Sequence, residues 1–129
     1  MAAVGHVHHH DARHWFENAS TLEIAFCRVT QQGFLRLLTN RAVMGQNVLS
    51  MARAWQLYDE LLTDGRIRFV AEPSGLENAW RAAVRYPYAG HNFWTDTYLT
   101  AFAQTAGYTL VTFDKGFRRY PGLRLELLA

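Results

Sequence analysis

Two aspartates lie where a parallel α/β fold would bring them together. Asp96 opens a predicted helix within the segment Trp94–Leu99, and Asp114 directly follows the predicted strand 109–113. A helix that connects parallel strands runs antiparallel to them, so its N-terminus lies at the edge where the strands end. Two carboxylates at that edge suit a hard divalent cation, which lowers the pKa of a bound water and offsets charge on a phosphodiester. The spacing therefore predicts a metal site that acts on phosphodiesters.

Each aspartate also has a purely structural explanation. An acid in the first turn of a helix is favoured by the exposed backbone N–H groups and by the helix dipole, which would account for Asp96. Asp114 begins the sequence Asp-Lys-Gly, which is typical of a turn. Spacing alone leaves the metal site and these structural roles equally open.

Helical and strand patterns alternate along the chain. Strands are predicted at 23–29, 66–70, 109–113 and 123–127, and helices at 11–18, 30–39, 48–62, 75–84 and 96–105. Thr30 and Ser74 are the predicted N-caps of their helices, 40–45 and 86–91 are predicted loops, and Gly107 is predicted to end the last helix. This alternation predicts one three-layer α/β/α domain over residues 1–129, built on a parallel sheet.

The strand ends identify the polar residues at the same edge as the two aspartates. Applying this geometry to every strand adds Thr30, Gln31, Glu72 and Thr112 to Asp96 and Asp114. In this hypothesis Asp96 and Asp114 bind the ion, while Gln31 and Thr112 support its coordination shell. A water activated by the metal then attacks the phosphodiester.

Composition places the chain among compact globular domains. Of its 129 residues, 50% are hydrophobic, and the formal net charge of +2 does not oppose an anionic substrate. Cys27 is the single cysteine, which excludes an intrachain disulfide and favours a reducing, cytoplasmic compartment. No apolar run reaches the roughly 18 residues that a membrane span requires, and no signal peptide is predicted.

Other candidate sites have simpler explanations. No glycine-rich phosphate loop is present, and no nucleophile elbow surrounds a serine. Cys27 lies in an apolar strand and is expected in the core. The His-rich segment 6–11 is interpreted as a solvated helix entry rather than as a metal site. Several basic residues could line a path for anions, although an exposed surface is the default expectation for them: Arg36, Arg41, Lys115, Arg118 and Arg119.

Three segments of the chain resemble PIN-domain toxins of the VapC type. They are Cys27–Asn40, Trp94–Ala103 and Leu110–Phe117. The resemblance covers nearly the whole chain, and its short motifs are specific in combination. It implies a single-domain α/β ribonuclease that acts with Mg²⁺ or Mn²⁺, forms a homodimer and is silenced by a cognate antitoxin.

The resemblance also implies roles for individual residues. Asp96 and Asp114 match the third and fourth acidic positions of the family. Gln31 matches a position where many members carry Glu, and its amide cannot replace the charge of a carboxylate. Asp96, Asp114 and Gln31 are therefore the predicted catalytic residues, with Asp96 and Asp114 as the metal ligands.

The start of the chain departs from the family pattern. Members open with a central strand that ends in Asp-x-Asn-x-Leu, whose Asp is the first metal ligand, whereas no acid precedes Asp11 here. Three explanations are considered: a start codon assigned too far downstream, a decayed toxin, or a segment of a second protomer that fills the slot. The alternative function is therefore a catalytically impaired PIN domain that still binds an antitoxin or dimerises through Trp15, Phe16, Trp55 and Tyr58, residues that could equally belong to the core.

Overall fold

The computed structural model describes residues 24–85, 90, 92–112 and 114–127. The elements within these ranges are β1 (Ile24–Phe26), α1 (Arg28–Leu38), α2 (Arg41–Met44), a 3₁₀ turn (Gly45–Asn47), α3 (Met51–Leu62), β2 (Ile67–Phe69), α4 (Leu76–Ala83), α5 (Phe93–Ala106), β3 (Leu110–Thr112), a 3₁₀ helix (Lys115–Arg119) and β4 (Leu125–Leu127). The predicted first helix, the His-rich segment, Trp15 and Phe16 lie outside the described residues, as does most of the loop 86–91.

The strands form two parallel pairs. β1 pairs with β2, with Ile24 opposite Ile67, and β3 pairs with β4, with Leu110 opposite Leu125. Within the described residues the two pairs are separate two-stranded sheets. The parallel pairing confirms the prediction made from the alternation of helices and strands. The prediction of a missing central strand concerns residues before position 24, which lie outside the described part of the chain.

One apolar core joins the residue after β1 to β3 and α5. Cys27, which follows β1, and Leu110 of β3 belong to the same cluster of buried side chains, together with Leu99 and Phe102 of α5. All three residues of β3 are buried, as expected for a parallel strand that is covered on both faces. Cys27 is 1% exposed, which confirms its assignment to the core.

The start of α1 corrects the predicted cap. The helix begins at Arg28 with Cys27 as its N-cap, so Thr30 lies inside the first turn rather than before it. The Thr30 hydroxyl accepts a hydrogen bond from the Cys27 backbone N–H at 2.9 Å and lies 3.1 Å from the Cys27 carbonyl oxygen. The predicted strand was too long for the same reason, because residues 28 and 29 belong to the helix.

Three further boundaries differ from the sequence-based prediction. The predicted loop 40–45 contains α2, whose first N–H groups are capped by the Asn40 side chain through a 2.9 Å bond from the Ala42 N–H. Gly75, with φ of 82°, is the N-cap of α4 in place of Ser74. α3 begins one residue after Ser50, whose hydroxyl accepts from the Arg53 N–H at 3.1 Å.

A tight turn connects α5 to β3. Gly107 ends α5 with φ of 75°, a left-handed conformation that glycine adopts without a steric penalty. The Tyr108 N–H then donates to the Ala103 carbonyl at 2.8 Å. Because only three residues separate the helix from the strand, α5 returns antiparallel to β3, and its N-terminus lies toward the C-terminal end of β3.

Candidate metal site at the strand ends

Asp96 is half-buried in the first turn of α5. On a helix, the residues three, four and seven positions after Asp96 lie on the same face as Asp96. These are Leu99, Thr100 and Ala103, which are 6%, 1% and 0% exposed. Leu99 and Ala103 pack in the same cluster as Leu110 of β3. These neighbours support the prediction that the Asp96 side chain faces the strands.

Ideal helix and strand geometry also predicts similar heights for the two aspartates above the turn that joins α5 to β3. From Asp96 to Ala106 the helix rises about 15 Å at 1.5 Å per residue. From Leu110 to Asp114 an extended chain advances up to about 13 Å. The antiparallel connection supports the expectation that both residues lie at the same edge of the sheet, which stays a prediction.

Asp114 is held in a defined turn. One oxygen of its carboxylate accepts from the Gly116 N–H at 2.8 Å, and its own backbone N–H donates to the Thr112 hydroxyl at 3.1 Å. The turn-forming explanation of Asp114 is thus confirmed. It does not use up the carboxylate, which has a second oxygen and further lone pairs, and the residue is exposed. Thr112 itself is 5% exposed and positions the start of the turn.

The hydrogen bond that the structure describes for Gln31 lies within the first turn of α1 rather than with α5 or β3. Its amide oxygen accepts from the Arg28 guanidinium at 2.6 Å, and Arg28 also lies 4.6 Å from the centre of the Phe69 ring. Gln31 is 6% exposed. Beside it, burial raises the pKa of Tyr58, while the Gln31 amide and the Arg28 charge act in the opposite direction. These described contacts join Gln31 to α3 and β2.

Glu72 is engaged by α5. The Tyr98 hydroxyl donates to the Glu72 carboxylate at 2.8 Å. Burial of Tyr98, together with its hydrogen bond to Glu72 and the negative charge there, raises the pKa of the Tyr98 hydroxyl. Glu72, which strand geometry placed among the polar residues of the edge, therefore serves to tie the end of β2 to α5.

Sequence reasoning missed the contact that fixes the first turn of α5. The Trp80 indole N–H of α4 donates to the Thr97 hydroxyl at 2.9 Å, and that hydroxyl in turn donates to the Phe93 carbonyl at 2.9 Å. Thr97 is fully buried and adjoins Asp96. The two partners are separated by 17 residues, so no local pattern could have paired them.

The donor set at this edge suits a hard cation. Asp96 and Asp114 offer carboxylate oxygens, and Mg²⁺ is commonly held by one or two carboxylates, with water and substrate phosphate completing its shell. In the described part of the chain there is no group of three or more His, Cys, Asp or Glu residues that could hold a metal. The residues present therefore fit an ion that is shared with a phosphate substrate better than a closed structural site.

Comparison with known proteins identifies the family. A family model described as the PIN domain matches residues 2–123, which is nearly the whole chain. The chain belongs to the PIN-domain family. This confirms the resemblance found in the sequence and assigns the PIN fold to the two parallel strand pairs and the helices around them.

Relatives and a solved structure agree with this assignment. The chain is 45% identical to a protein named Ribonuclease VapC41 from Mycobacterium tuberculosis, over 100% of this chain and 92% of the relative. It is 33% identical to Ribonuclease VapC38 from the same species, over 99% and 90% of the two chains. A crystal structure of VapBC2 from Rickettsia felis, bound to a DNA fragment, has a TM-score of 0.66 at 17% identity and covers 99% of this PIN domain and 98% of that chain. This last likeness concerns the fold alone. No helix among the described residues is long and apolar enough to cross a membrane.

Proposed function

We propose that this PIN domain is a metal-dependent endoribonuclease toxin of a type II toxin–antitoxin system. The observation that carries the proposal is the short connection by which α5 returns antiparallel to β3, which supports a common edge for Asp96, in the first turn of that helix, and Asp114, just after that strand. The names of the relatives VapC41 and VapC38, both called ribonucleases, support RNA as the substrate.

The described residues have distinct roles in this proposal. Asp96 and Asp114 hold Mg²⁺ or Mn²⁺ through their carboxylate oxygens, and Thr112 orients Asp114 by accepting from its backbone N–H at 3.1 Å. When bound, such an ion would lower the pKa of a coordinated water and neutralise the charge that develops on the phosphate. Gln31 supports the site as a neutral residue at the start of α1, where its amide oxygen accepts from Arg28 at 2.6 Å.

The proposal extends to partners and location. One solved structure with a similar fold is that of VapBC2 bound to a DNA fragment. This likeness supports an antitoxin as the partner of this chain and a homodimer as its assembly. A toxin that cleaves cellular RNA acts in the cytoplasm, in agreement with the single buried cysteine at position 27.

Cleavage assays test the proposal directly. Purified protein is incubated with a mixture of structured and single-stranded RNAs, with Mg²⁺, with Mn²⁺ and with EDTA. We expect cleavage that requires the divalent ion and falls by at least about 100-fold in Asp96→Asn and in Asp114→Asn, because each change removes charge that the cation requires. Glu77→Gln, an exposed acid on α4, serves as the control. Equal cleavage by wild type and both aspartate variants would show the site assignment to be wrong.

A second candidate is a PIN domain that binds an antitoxin or dimerises without cleaving RNA. It is favoured by the amide at Gln31, where the resemblance implies an acid. Of its predicted contact residues, Tyr58 is 3% exposed and belongs to the core, whereas Trp55 is 49% exposed. Met51, one helical turn before Trp55 on α3, is 79% exposed. Loss of antitoxin binding in Met51→Ser/Trp55→Ser, with no ion-dependent cleavage by the wild type, would favour this candidate over the first.

A further inference from the structure

The 3₁₀ helix Lys115–Arg119 places only positive charge directly after Asp114. Its sequence is Lys-Gly-Phe-Arg-Arg, with no acid. In a 3₁₀ helix, side chains three residues apart lie one above the other. The helix and its C-cap Tyr120 therefore form three columns of two residues each, and the side that each column faces decides what the basic residues can contact.

The contacts identify two of these columns. Phe117 and Tyr120 are each 4% exposed, and their ring centres lie 6.1 Å apart, so this column faces the core. The second column contains Gly116 and Arg119. A Cβ built on Gly116 would lie 3.0 Å from an Asp114 carboxylate oxygen and 3.1 Å from an Arg119 guanidinium nitrogen. The Asp114 carboxylate and the Arg119 guanidinium thus both lie beside Gly116.

The third column consists of Lys115 and Arg118, and both are exposed. Some exposed arginines elsewhere pair with acids, as Arg53 does with Glu60 at 3.1 Å and Arg81 with Glu77 at 3.0 Å. Neither Lys115 nor Arg118 has such a pair among the described residues. At a rise of 2.0 Å per residue, their attachment points are about 6 Å apart, so the two like charges repel each other. A bound anion would relieve this repulsion.

We propose that Lys115 and Arg118 bind backbone phosphates of the RNA that flank the bond to be cleaved. This inference rests on the proposed ribonuclease function. The buried Phe117 and Tyr120 fix the backbone of the segment, so the two cations project from a rigid support next to Asp114. Phosphate contacts position a strand without reading its sequence. Lys115 and Arg118 are therefore positioning residues that set affinity and register for any single-stranded RNA.

The salt dependence of RNA binding tests this role. The dissociation constant of a fluorescein-labelled 12-nucleotide RNA is measured by anisotropy, in EDTA so that no metal-dependent cleavage occurs, between 50 and 200 mM KCl. Each phosphate contact to a single strand contributes about 0.7 to the slope of log K against log salt. We expect Lys115→Gln/Arg118→Gln to lower that slope by about 1.4. The ratio of the RNA affinity of the wild type to that of the variant then falls about sevenfold from the lowest to the highest KCl concentration.

Arg36→Gln/Arg41→Gln is the matched control. Both arginines are exposed and have no acidic partner among the described residues. They lie near the C-terminal end of α1, and this end is about 15 Å from the N-terminal end, where α1 follows β1. The control variant should keep the wild-type slope. An equal change in both variants, or in neither, overturns the positioning role while leaving the nuclease assignment intact. A wild-type chain that neither binds nor cleaves RNA overturns the proposed function as well.

Discussion

Replacing Thr97 by valine should destabilise the protein, whereas the same change at Thr100 should not. Both threonines are buried on α5, at 0% and 1% exposure. The Thr97 hydroxyl accepts from the Trp80 indole N–H at 2.9 Å. The Thr100 hydroxyl has no hydrogen-bond partner among the described residues. The two positions therefore form a matched pair that differs in hydrogen bonding rather than in burial.

The expected magnitudes follow from this difference. Thr97→Val keeps the side-chain shape but leaves the half-buried Trp80 N–H without its acceptor, which costs about 1–3 kcal/mol. Thr100→Val removes a buried hydroxyl that lacks a partner, so it should be neutral or stabilising by about 1 kcal/mol. In a Trp80→Phe background the cost of Thr97→Val should fall by about 1 kcal/mol, because the donor is already absent.

Urea unfolding followed by circular dichroism provides the measurement. With an m-value of about 1–3 kcal/mol/M, Thr97→Val should lower the midpoint by about 1 M, and Thr100→Val should leave it unchanged or raise it. Equal losses in the two variants would refute the reasoning, since the hydrogen bond from Trp80 would then have no measurable value. A Thr97→Val cost that persists undiminished in the Trp80→Phe background would refute it as well.

Three further changes test the local structure. Gly107→Ala should lower the free energy of unfolding in urea by about 1–2 kcal/mol because Gly107 has φ of 75°. Gly33 lies inside α1, and a Cβ added there has no atom within 4 Å. Gly33→Ala should therefore raise the free energy of unfolding by up to about 1 kcal/mol. The pKa of Tyr98 is raised in the folded state. The stability that the neutral Tyr98 hydroxyl contributes is therefore complete below the unfolded pKa near 10 and is lost at higher pH. Urea midpoints should fall above about pH 10, and they should fall less in Tyr98→Phe. Thr112→Val removes the acceptor of the Asp114 N–H and should lower RNA cleavage about tenfold, while Thr112→Ser should retain it; equal rates would exclude the positioning role.

The sequence was sufficient wherever a short-range physical rule decides the structure. The parallel pairing of β1 with β2 follows from strand–helix alternation, and the end of α5 at Gly107 follows from glycine's freedom at positive φ. The shared edge of Asp96 and Asp114 is an expectation of the same kind, because it needs only the direction of a helix relative to its strand.

Where the prediction failed, two local interactions competed or the partner was distant in sequence. Thr30 has a good capping side chain, but it bonds back to the Cys27 N–H from inside the first turn, so the helix starts earlier. α2 depends on the Asn40 cap, in a segment whose composition alone resembles a loop. The bond from Trp80 to Thr97 joins two helices, and only their packing could reveal it.

The central claim is that Asp96 and Asp114 bind the same divalent ion. Calorimetric titration of Mn²⁺ into the wild type, Asp96→Asn, Asp114→Asn and the double variant tests this claim without RNA or an activity assay. We predict one ion per chain in the wild type, at least about tenfold weaker binding in each single variant, and little further loss in the double variant, because the first change already removes the shared site. Wild-type affinity in either single variant, or losses that multiply in the double variant, would contradict a shared ion.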